Sequence, residues 1–412
     1  MTKLVGVDQF VNLVREGYLF MLNRRKSLQT DVFETRFFGK KAICMGGREA
    51  AKLFYDNEKF ERYGAAPNRV RETLFGDKGV QTLDGQEHRH RKAIFMDFMN
   101  EDNLNRLQEI VSKHWEQMIQ HWEHVSRVVL YDEMKKMLCA AACEWAGVPI
   151  HTEEIEERTK ALSSLFESPA KFGPGHWKGR YERNAVESWL EKLAADVREH
   201  EPGNDANTLL HQFSFHRDMN GEQLPPKVVA VEVINVIRPI IAIAIYVNFM
   251  VLALEQFPKE KSKLERDFER YVYPFIHEVR RYYPFFPFVA ARVKQDFVWK
   301  DFTFQKGTLT YLDIYGTNHD PELWENPERF DSDRFLGRDI DSFQFIPQGG
   351  GDYLTGHRCA GEKVTIEVMK TVLDRLLHRI DYELPEQDYS YSLVNIPSIP
   401  KSKIILENIR KK

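Results

Sequence analysis

Cys359 follows the glycine-rich stretch IPQGGGDYLTGHR and precedes EKVTIEVMKTVL, a segment whose apolar spacing predicts a helix. A sulfur at a helix start sees oriented N–H groups and the positive end of the dipole. His357 and Arg358 add positive potential, so the thiolate is expected to be favoured. Thiolates attack electrophiles or bind metals. The glycines of this stretch let the backbone turn sharply and approach a flat, bulky partner, which a simple nucleophilic cysteine does not require. Haem is a flat partner that such a loop suits. A phosphate cradle is the competing use of a glycine-rich loop before a helix, but no Gly-Lys-Ser/Thr follows.

Arg238 is the second candidate. It lies in INVIRPIIAIA, between Ile237 and Pro239, where its guanidinium is expected to be buried. A buried cation needs an anion of matching geometry, and a carboxylate fits it bidentately. From Arg238 to Glu255 the segment supplies no Asp or Glu, while Pro239 forfeits a helix hydrogen bond and is expected to kink the axis. Either an acid distant in sequence forms a structural ion pair with Arg238, or the carboxylate belongs to a ligand.

The elements that must hold these residues are mostly helices. Helical periodicity runs through Asp102 to Val111, continues in HWEQMIQHWEHV and returns in SWLEKLAADVREH and VTIEVMKTVLDRLLHRI. Strand-like pieces are short: FFGKKAICMG, the region 297–314, and SKIILENI. The fold class expected is mainly α with a small β region. Within 1–412 there is no fixed-period repeat, low-complexity tract or linker, which predicts a single unit. The most apolar stretch, Val228 to Phe257, is long enough to suggest a membrane span, but Glu232, Asn235, Arg238 and Pro239 interrupt it. A long buried core helix is expected instead, and no transmembrane segment.

Composition excludes some partners. Lys plus Arg at 58 against Asp plus Glu at 62 lacks the basic excess that phosphate backbones require, so nucleic acid is not expected. The four cysteines form no CxxC pair, and Cys139 and Cys143, four apart on a predicted helix, read as buried thiols. A reduced, cytoplasmic protein is expected.

IPQGGGDYLTGHRCAGE resembles the haem-thiolate loop of the cytochromes P450. The resemblance continues in HEVRR, with its Glu278 and Arg281 pair, and in NHDPELWENPERFDSDRF, where Arg329 is expected to complete a charge cluster with that pair. Alone, Glu278 and Arg281 would be an ordinary i,i+3 surface pair. Ordinary members of the superfamily carry an acidic residue followed by Thr midway along the central helix, and this sequence has Arg238 and Pro239 there. That pair resembles the hallmark of a bacterial branch, the fatty-acid peroxygenases, which use hydrogen peroxide without an obligatory redox partner.

The resemblance implies haem b bound by Cys359, with propionates held by His88 and Lys92 and by the further candidates Arg62, Arg292 and His357. His88 and Lys92 are four apart on a predicted helix and share a face. It also implies that a long-chain fatty acid places its carboxylate on Arg238 and so supplies the acid and base the protein lacks, leaving the alpha and beta carbons nearest the iron. The apolar tail is expected along Phe75, Phe285 and Phe172, though each phenylalanine could equally be core packing. Gln81 falls where the branch places a residue over the distal face. Relatives with His there are associated with decarboxylation to terminal alkenes and those with Gln with hydroxylation, so hydroxylation is expected. A neutral amide can hydrogen-bond to peroxide but cannot donate a proton as imidazolium does. A solvent-facing loop glutamine is the plainer reading of Gln81. The competing functions are an alkene-forming decarboxylase, a redox-partner-dependent monooxygenase, and a non-catalytic haem carrier or sensor.

Overall fold

The computed structural model describes residues 6, 8–169, 173–200 and 207–412. Its axis is one long helix, Pro226–Gln256, the predicted apolar stretch. Proline in its first turn costs no hydrogen bond, and Phe257, held extended before Pro258, ends it. By length and composition this helix could cross a bilayer, but 94% of its apolar window is buried inside the protein. It is a core helix, packed chiefly on Leu130–Ala146, Pro174–Glu199 and Glu362–His378. Its helical path continues through Pro239.

Three further helices position chemistry. Gly85–Phe98 carries His88, Arg91 and Lys92 as its buried polar face, and Phe268–Tyr282, capped by Asp267, carries His277, Glu278, Arg280 and Arg281. Glu362–His378 begins three residues after Cys359, with Glu362 in its first turn and Arg375 and His378 in its last, as the macrodipole favours.

Strands are few. One sheet orders Val32–Phe37, Lys40–Met45, Leu309–Asp313, Phe288–Val293 and Phe60–Glu61, antiparallel except where Lys40–Met45 meets Leu309–Asp313. Arg127–Val129, Ile405–Lys411 and Ile380–Glu383 form a second, antiparallel sheet, and Phe297–Trp299 pairs with Phe302–Phe304. The three strand-like regions of the sequence all fall in these sheets. In the first sheet Glu61, the neighbour of Arg62, is in register with Arg292.

Candidate active site

The loop before Cys359 is pinned by backbone bonds. The Cys359 N–H donates to the carbonyl of Gln348 at 3.1 Å, and the Cys359 carbonyl accepts from Glu362 N–H at 3.3 Å. Gly349 has φ +90°, and a Cβ there would lie 2.8 Å from the Tyr55 hydroxyl, so the turn needs glycine both for its conformation and for its close packing. The positive potential expected around Cys359 is largely cancelled. Arg358 pairs with Glu362 at 2.6 Å, and burial pushes His357 down to about 4, leaving it neutral near pH 7. Burial, followed by the Glu362 charge, pushes the Cys359 thiol up. Its anionic form therefore comes with a coordinated cation, since a coordinating thiol is deprotonated outright.

Beside this loop lies a buried group of basic side chains. The rings of His88 and His357 are 3.9 Å apart, and His357 Nε2 is 3.4 Å from Asp84 Oδ1. Asp84 also accepts from the N–H groups of Arg62 and Tyr63, both at 2.8 Å. The Arg62 guanidinium is buried over the Phe54 ring, and Lys92 Nζ donates to the carbonyls of Gly356 and Arg358. Burial, with His357 and Lys92 nearby, pushes His88 down to about 3. Burial likewise lowers Lys92 to about 8 and depresses Arg62. With both histidines neutral, the cations left are Arg62 and Lys92 against the one carboxylate Asp84, and the group is short of negative charge. Two haem propionates would supply that charge, so these residues fit haem b with Cys359 as its ligand. Arg292 stands apart: half exposed, it donates to the carbonyls of Gly64 at 2.7 Å and Gly307 at 2.9 Å.

Arg238 is 5% exposed and donates to the carbonyl of Leu74. Arg183 Nη1 donates to the same oxygen at 3.1 Å, and Arg183 Nε pairs with Glu187. Among the described residues no carboxylate pairs with Arg238. Burial, then the charge of Arg183, pushes its guanidinium down to about 9, while the Cys359 charge draws it up. Phe75 follows Leu74 at the end of the turn Arg71–Phe75, and Phe285 stacks at 4.3 Å on Tyr246 of the central helix. Phe172 lies outside the described residues.

Sequence reasoning missed what surrounds Gln81. Asn235 Nδ2 donates to Gln81 Oε1 at 3.0 Å and to the Phe75 carbonyl at 3.3 Å. Glu232, fully buried, accepts from Arg91 at 2.8 Å and from Val80 N–H and Asn235 Nδ2, both at 3.3 Å. Gln81 is therefore tied to the central helix rather than pointing to solvent. Glu232, Asn235 and Arg238 recur every three residues, a polar stripe on one helix face that could have been found from spacing.

The charge cluster around Glu278 corrects the sequence reading. Arg281 binds Glu278 through two nitrogens at 2.7 and 2.8 Å, but the second arginine is Arg334, with Nε 3.1 Å from Glu278 Oε1. The side chain of Arg329 is 73% exposed, 3.8 Å from Asp331. It joins the cluster only through its backbone carbonyl, which accepts from Arg281 and Arg334. The segment ERFDSDRF turns between the two arginines, and the turn sends the later one inward.

Residues 269–404 match the family model described as Cytochrome P450. Cytochrome P450EX alpha (CYP152N1), solved with myristic acid, is 48% identical over the whole of both chains, with a TM-score of 0.96. Cytochrome P450SP alpha (CYP152B1) is 38% identical over 98% of this chain and 100% of that one, again at 0.96. A variant of cytochrome P450 OleT in complex with arachidonic acid is 35% identical over 100% of this chain and 99% of its own, also at 0.96. Among curated proteins, the putative cytochrome P450 120 of Synechocystis sp. is 25% identical over 92% of this chain and 89% of its own length. A mainly α fold, a half-buried cysteine at the head of Glu362–His378 and a propionate-sized deficit of negative charge accord with these likenesses. The chain is a haem-thiolate oxidoreductase of the cytochrome P450 family, in its CYP152 branch of fatty-acid peroxygenases.

Proposed function

We propose that this chain, acting as one unit in the cytoplasm, uses hydrogen peroxide to hydroxylate a long-chain fatty acid at the alpha or beta carbon, with no redox partner. The observation that carries this reading is Arg238, a buried guanidinium with no carboxylate partner among the described residues. A fatty-acid carboxylate can take its remaining N–H groups bidentately and relieve the repulsion with Arg183. Bound haem supplies an iron site where peroxide is activated, the cysteine thiolate favouring O–O cleavage. Arg238 orients the substrate so that its carboxylate can accept and return a proton beside that site, doing the work of the acid and alcohol of other members. Because the headgroup is fixed, the carbons next to it are the ones presented. Phe75 and Phe285 supply apolar surface that favours the chain and excludes water.

Gln81, held by Asn235, offers a neutral amide rather than an acid, which favours hydroxylation over alkene formation. The test compares a fatty acid with its methyl ester in peroxide-driven turnover, and measures fatty-acid binding by the haem spin-state change in Arg238→Ala. The acid should react and the ester should not. The variant should bind roughly a hundredfold more weakly, the loss of about 3 kcal/mol from a charge-assisted bond. Equal turnover of the ester would refute the anchoring.

A further inference from the structure

Gln348 sits at the start of the cysteine loop, eleven residues before Cys359, and its side chain turns back toward the sulfur. Its Oε1 accepts two bonds from Arg280, from Nε at 3.2 Å and from Nη2 at 2.9 Å. Arg280 is fully buried and shares Glu362 with Arg358, and its Nη1 meets His277 Nδ1 at 3.1 Å. A guanidinium donates and never accepts, so it admits only the amide oxygen on its side. The amide nitrogen is thereby forced to the other side, where Nε2 lies 3.0 Å from Thr365 Oγ1 and 3.9 Å from Cys359 Sγ. The Gln348 backbone carbonyl meanwhile accepts the Cys359 N–H at 3.1 Å, which fixes the approach of the two residues.

We propose that Gln348 is a side-chain hydrogen-bond donor to the Cys359 sulfur, locked in orientation by Arg280, and that it restrains how strongly the thiolate donates to iron. Groups that hydrogen-bond to a metal ligand tune the metal through that ligand. An N–H directed at sulfur withdraws electron density, weakening the iron–sulfur bond and raising the reduction potential. Gln348 acts through Cys359 and touches neither peroxide nor substrate, so it is a positioning residue.

The test uses the haem-loaded protein and needs no substrate, so it stands or falls separately from the fatty-acid reading. Gln348→Met keeps the side chain's length and removes the donor. It should retain the thiolate-type ferrous carbonyl band but shift that band to longer wavelength, raise the iron–sulfur stretching frequency in resonance Raman spectra, and lower the midpoint potential. Should Gln348→Met not hold haem, Gln348→Ser, too short to reach sulfur, should give the same three shifts. A haem-loaded variant with all three readouts at the parent's values overturns the proposal.

Discussion

Asn235 donates from Nδ2 to Oε1 of Gln81 at 3.0 Å, joining the turn Val80–Thr82 to the central helix one turn before Arg238. Since Asn235 Nδ2 also donates to Glu232 Oε2 at 3.3 Å, and Glu232 is paired with Arg91, the orientation of Gln81 rests on a buried ion pair. Its amide nitrogen is the end left for other partners. An imidazole at position 81 would bring a proton donor to the same place. Gln81→His is therefore expected to raise the alkene share of product from a fatty acid. Gas chromatography of products from both proteins measures it, and an unchanged ratio would show that the side chain at 81 does not set the outcome.

Haem retention should depend on pH through Lys92. Burial lowers this lysine to about 8 in the protein alone, and a propionate beside it would raise it again. Because the raised value belongs to the haem-bound state, binding takes up a proton above pH 8. Affinity is full below about 8 and falls as pH rises toward the haem-bound value. Haem transfer to excess apomyoglobin should accelerate across that range, and Lys92→Met should transfer faster at low pH with a flatter profile. An equally steep rise in the variant would assign the effect to another group.

Stability separates Arg334 from Arg329. Glu278→Gln leaves Arg281 buried without its counter-charge, and unfolding of the haem-loaded protein in urea should show a loss of about 3–5 kcal/mol. Arg334→Ala should cost about 1.5–3 kcal/mol, the value of a hydrogen bond to a charged group. Arg329→Ala, at an exposed side chain, should stay within about 0.5 kcal/mol. The reverse ranking of the two arginines would contradict the geometry around Glu278.

Cys359 and Arg238 stood out in the sequence because each breaks a local pattern: a thiol between glycines and a helix, a cation inside an apolar run. The central helix was equally plain, since its apolar length exceeds its interruptions. What could not be read was pairing across distance. Gln348 and Arg280 lie 68 residues apart, and Gln81 and Asn235 are 154 apart, so no local spacing couples them. Arg329 and Arg334 have nearly the same neighbours, and only the path of the intervening turn decides which faces Glu278. The neutral state of His357 departs from the sequence expectation for a related reason: its proximity to Cys359 is written in the chain, but the burial that neutralises it is not.

The Leu74 carbonyl, gripped by guanidinium groups from two separate helices, behaves as a mechanical rivet for the 71–75 turn. If Phe75 contacts the acyl chain as proposed, exchanging its side chain should change the acids accepted while leaving the rivet, a backbone carbonyl, in place. Insertions or deletions between residues 70 and 80 would slide it out of register and disturb both arginines at once.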